Sequence, residues 1–85
     1  MSSYALITVD GALEFRKGND WRDQLGPEGR ARVRTDEPLA GFVNDCGLLF
    51  PEKYPRNVVG SLVLVALGAP IQPYAGPVVI TGWGP

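Results

Sequence analysis

From residue 4 to residue 17 the chain reads YALITVDGALEFRK: an almost continuous apolar run over residues 5–9, then Leu13 and Phe15 alternating with Glu14 and Arg16. Alternation on the second arm describes a strand with one dry face and one wet face, and the less interrupted first arm describes a strand deeper in a sheet. Asp10-Gly11 between them has the composition of a two-residue type I′ turn, so the stretch predicts a β-hairpin. In GNDWRDQLGPEG, residues 18–29, Trp21 and Leu25 stand four apart behind the capping candidates Asn19 and Asp20. Gly26-Pro27 then stops the run after about two turns, and the prediction is a short amphipathic helix.

RARVRT, residues 30–35, predicts a third strand. LAGFVNDCGLLF, residues 39–50, predicts a further strand pair hinged near Asn44, Asp45, Cys46 and Gly47, and PEKYPRN a proline-bounded loop. Residues 57–70, NVVGSLVLVALGAP, set two signals against each other. The valines favour a strand, whereas Asn57 in front and Gly68-Ala69-Pro70 behind are the punctuation of a capped, buried helix. A strand of that length is unusual in a small sheet, which tips the reading to a helix over 57–67. The β-branched run Val78–Thr81, between Gly76-Pro77 and Gly82, predicts a central or near-central strand. These elements make a single α+β domain over residues 1–85: a small antiparallel or mixed sheet, begun by the N-terminal hairpin and closed by 78–81, with one buried helix packed on it.

Composition narrows what such a domain does. Eight basic and nine acidic side chains leave a formal charge of −1, so the long-range field of most nucleic-acid binders is missing and any anion site must be local. Histidine is absent and Cys46 is the only cysteine. This removes the usual neutral-pH base, the Ser-His and Cys-His nucleophile pairs, an internal disulfide and a cysteine-rich zinc site. The carboxylates are scattered over turns, and no glycine pattern matches a phosphate-binding loop. No catalytic residue, metal site or cofactor is therefore expected. The N-terminus does not read as a secretory signal, and the most apolar run is about half of a membrane span, so a cytoplasmic, reducing location is the expectation.

Two surfaces remain. Arg30, Arg32 and Arg34 alternate with Ala31 and Val33, so a strand would send three guanidinium groups from one face, able to hold phosphates or a row of carboxylates. The plainer reading is a charged edge that discourages aggregation, neutralised by Glu14 on a neighbouring strand or by Asp36 and Glu37. Phe50, Tyr54, Tyr74 and Trp83 lie in or beside proline-rich loops, where aromatics either form pre-ordered partner contacts or roof the core. Cys46, beside Asp45 and without a histidine, reads as a half-buried thiol and a poor nucleophile.

NDCGLLFPEKYPRNVVGSLVLVALGAP leading into YAGPVVITG carries Asn44, Gly47, Leu48, Pro55, Asn57, Gly76, Pro77, Val78, Val79 and Gly82 in an order that resembles a family of small uncharacterised proteins of actinobacteria and their phages. The resemblance implies a hairpin, an N-x-x-G-L turn, a helix and a closing GPVV-x-x-G strand, and so supports helix over strand at 57–67. It implies no activity, ligand or catalytic residue, and as context only an accessory role in a mobile element, acting on a host protein or a nucleotide signal. The expectation is a non-catalytic protein-binding module, its partner another protein or a second copy in a homodimer. The alternative is an anion binder holding nucleic acid or a signalling nucleotide on Arg30, Arg32 and Arg34.

Overall fold

The computed structural model describes residues 3–82. Strands β1 (Ser3–Ile7), β2 (Leu13–Lys17), β3 (Arg30–Val33), β4 (Ala40–Asn44) and β5 (Val78–Thr81) form one sheet, and α1 (Val58–Ala66) packs on it. The strand order is β2-β1-β5-β4-β3, and every pairing is antiparallel. The fold is thus the expected small α+β domain, with the run Val78–Thr81 at the centre of the sheet.

Two local expectations are corrected. The β1–β2 hairpin forms, but its turn is longer than the two-residue type. Thr8 N–H donates to Ala12 O at 2.9 Å and Gly11 N–H to Thr8 O at 3.0 Å. Gly11 has φ +90°, while no non-glycine among the described residues takes a positive φ. Asp10 therefore cannot adopt the type I′ geometry, and the chain turns through Val9, Asp10 and Gly11 with the glycine in a bulge. The Thr8 hydroxyl binds the Asp10 carboxylate, which lowers that carboxyl's pKa.

The second correction concerns residues 39–50, where β4 is followed by a 3₁₀ turn at Gly47–Leu49 and not by a second strand. Asn44 Oδ1 accepts the Cys46 N–H at 2.8 Å and bends the chain. Leu48, Leu49 and Phe50 are then all exposed, so the period-two burial of a strand never develops. The short helix expected near Trp21 is a 3₁₀ helix, Asp20–Gln24, with Leu25 fully buried behind it.

Punctuation prevails over propensity at α1. Asn57 Oδ1 accepts the Gly60 N–H at 2.8 Å, the bond of an N-cap. At the other end Ala69 N–H reaches Leu64 O at 2.9 Å and Gly68 N–H reaches Val65 O at 3.0 Å, the pair of bonds that closes a helix through a left-handed residue. Gly68, at φ +102°, is that residue.

The sheet is covered on both faces. Leu64 of α1 packs with Ala5, Ile7, Val33, Val43, Val78 and Ile80 on one side. Tyr4, Leu6 and Val79 pack with Leu25, Trp21 and Phe42 on the other. Leu64 is wholly buried, a contribution of about 1.5–3 kcal/mol for a side chain of its size.

Candidate binding surfaces

Strand alternation sends Arg30 and Arg32 to the sheet face opposite α1, since they stand across from Asn44 and Phe42. Arg34 follows just beyond the strand, and all three are exposed. The 3₁₀ helix brings Trp21 to the same region, its ring 4.3 Å from Phe42 and its centroid 4.4 Å from the Arg22 guanidinium and 5.8 Å from that of Arg30. Both guanidinium groups are within cation–π range. The sequence reading missed Trp21 and Arg22 as members of this patch, because only the fold lays the 3₁₀ helix across it.

The counter-charges expected for the ladder are only partly there. β2 and β3 are opposite edges of the sheet, so Glu14 does not reach the arginines; it accepts from Arg16 at 2.7 and 3.1 Å. The ion pairs among the described residues, Arg16–Glu14 and Lys53–Glu28, include no member of the ladder. Arg32, Arg34, Thr35, Asp36 and Glu37 together line a concavity of about 450 Å³, next to the cis Glu37–Pro38 bond.

The aromatic candidates separate. Phe50 is exposed beside Leu48 and Leu49. Tyr54 and Tyr74 are buried, and their hydroxyls are engaged, which removes them from a contact surface. Tyr74 donates to Pro70 O at 3.0 Å, and Tyr54 donates to Glu28. Glu28 also accepts from Lys53 Nζ at 2.7 Å and Asn44 Nδ2 at 3.1 Å. These donors, Lys53 first and Tyr54 next, hold the Glu28 carboxyl at a pKa of about 2, and Glu28 in turn raises both Lys53 and Tyr54. The cluster ties the residue 51–57 loop to the start of β3. Trp83 lies outside the described residues, and the Cys46 thiol is half-buried.

A third surface is the far side of α1, which sequence reading did not single out. The helix VVGSLVLVA contains no charged residue, and its inward side uses Gly60 and Leu64. Val58 and Leu62 are each 67% exposed, and Ile71, on the loop after the helix, is 89% exposed. With Val65, Pro73 and Arg56 they line an open groove of about 500 Å³. The signal was present in the spacing: residues 58, 62 and 65 form one helical stripe and residues 60, 64 and 67 another, and one sheet covers only one of them. No protein-family model matches the chain, and neither do characterised proteins or solved structures.

Proposed function

We propose that this protein is a non-catalytic protein-binding module whose contact surface is the outer face of α1 together with Ile71. One observation carries the reading: a helix without a charged residue, with Val58 and Leu62 in solvent along a groove closed by Ile71. A largely apolar helix normally lies inside a structure, and a contiguous apolar groove on a small domain marks an interaction site. The groove has one charged lining residue, Arg56. A complementary partner is therefore an amphipathic segment with apolar anchors for Leu62 and Ile71 and a carboxylate for Arg56. The resemblance to proteins of phages and their hosts makes a host protein the partner to look for.

The test is site-specific photo-crosslinking in host cells. A crosslinker at Leu62 should capture one discrete protein, and the same group at exposed Asp23, on the 3₁₀ helix across the sheet from α1, should not; Leu62→Lys, folded by circular dichroism, should lose that capture. Equal labelling from both positions rejects the reading.

The exposed arginines beside Trp21 favour a second reading, an anion site for nucleic acid or a nucleotide. Binding of single-stranded and duplex oligonucleotides and of cyclic nucleotides, measured at two salt concentrations, should weaken with salt and fall further in Arg32→Glu. Binding that Arg32→Glu leaves unchanged rejects the ladder as the site.

A further inference from the structure

β3 is one edge of the sheet, and a single bond beside it fixes which backbone groups that edge presents. Asp45 N–H donates to Gly29 O at 3.2 Å. Bonding alternates along an antiparallel ladder, so Ala31 with Val43 and Val33 with Gly41 are the next bonded pairs toward β4. Arg30 and Arg32 consequently turn their N–H and C=O groups to the outside of the sheet, where no hydrogen bond from another element takes them up among the described residues.

The same two residues carry the exposed guanidinium groups on the face opposite α1. Neither belongs to an ion pair among the described residues, and the contact of Arg30 with the Trp21 ring, at 5.8 Å, is a cation–π one. Ala31, between them, points to the other face. There it borders a hollow of about 380 Å³ shared with Val43, Leu48, Leu49 and Ala75, and its small side chain leaves the hollow open toward the edge. Beyond Arg32, Asp36 and Glu37 already stand in one concavity with Arg34, so the positive charge left uncompensated is that of Arg30 and Arg32.

From this coincidence of open backbone and unpaired charge we infer that β3 is the docking edge for an extended acidic peptide. The peptide adds antiparallel to β3 as a sixth strand, with carboxylates at two alternate positions and an apolar residue between them. Its two acidic residues face Arg30 and Arg32, exchange both backbone hydrogen bonds with them, and set each carboxylate beside a guanidinium. Its middle residue faces Ala31 and reaches the hollow against Leu48 and Leu49. A nucleic-acid strand satisfies less of this edge, because phosphates offer no donor to the Arg30 and Arg32 carbonyls and the chain as a whole carries a charge of −1. A second copy is opposed too, since two β3 edges laid antiparallel set arginine against arginine. The inference stands apart from the α1 surface, and it assigns the arginines to peptide carboxylates instead of nucleic acid.

Fluorescence anisotropy with the labelled, end-blocked peptide Thr-Val-Glu-Leu-Glu-Val-Thr tests it. The peptide should bind the wild type saturably, and more weakly as salt rises. Arg32→Glu should weaken binding at least about tenfold, and the double variant R30E/R32E should prefer the peptide with Lys in place of both Glu residues. N-methylation of the peptide at both Glu residues keeps its charge and removes the two donors to β3, so it should abolish binding to the unaltered protein, whatever the variants do to folding. Hydrogen exchange at the Arg30 and Arg32 amides should slow when the parent peptide binds. A wild type that does not bind the peptide overturns the inference, as does equal binding of the N-methylated form or unchanged exchange at those two amides. An edge that takes oligonucleotides and leaves the peptide in solution overturns it as well. These readouts are at β3, and the crosslink of the α1 surface is read from Leu62, so either can fail without the other.

Discussion

The Asn57 side chain makes three hydrogen bonds to the fold. Its Oδ1 caps α1, and its Nδ2 donates to Ile7 O at 2.9 Å and Gly76 O at 3.0 Å, so one fully buried amide joins the helix start, the end of β1 and the approach to β5. Asn57→Ala should destabilise the protein by about 3 kcal/mol, the sum of a lost cap and two buried carbonyls left without a donor, measured by urea unfolding. Glu28 supplies a pH dependence. Its carboxyl falls from 4.5 to about 2 on folding, so its stabilising effect is complete above pH 4.5 and is lost as the pH drops toward 2. Glu28→Gln should lower the unfolding midpoint at pH 7 and flatten its fall between pH 4.5 and 2 relative to the wild type.

Among the elements, α1 was legible through Asn57 and Gly68 although its valines pointed to a strand, because capping depends on residues close in sequence. The hairpin was legible for the same reason, and only the geometry of its turn was not, since the Thr8 bonds to Asp10 and Ala12 stabilise a longer loop. The strand expected after Asn44 failed because the Asn44 side chain competes locally for the backbone. Gly60 shows where propensity misleads in the other direction. A methyl group there would stand 2.7 Å from Val78 Cγ2 and 2.8 Å from Asn57 Cγ. Gly60→Ala should therefore destabilise by about 1–2 kcal/mol, overpacking of the helix on β5 outweighing the better helix former, and denaturant melts read the sign.

Over the whole molecule, what sequence could not give was which distant elements meet. Glu14 was a plausible neighbour of the arginines until β1, β5 and β4 were found to lie between their strands. Tyr54 read as a loop aromatic, yet its hydroxyl partner Glu28 is 26 residues earlier. The exposed α1 face required knowing that a single layer covers the helix from one side. Leu62→Lys should change stability by less than about 0.5 kcal/mol, measured by thermal unfolding, because the side chain is already 67% in solvent.

The sheet consists of two hairpins, β1–β2 and β3–β4, whose backbone ladders are joined, among the described residues, through β5. Residues 78–81 act as a keystone, pairing Ile80 with both Ala5 and Gly41. A chain cut before residue 76 should keep α1 but lose the backbone ladder between its hairpins, and a synthetic peptide of residues 76–82 supplied in trans should restore it, so that the domain can be split into a large fragment and a short one that signal their reunion.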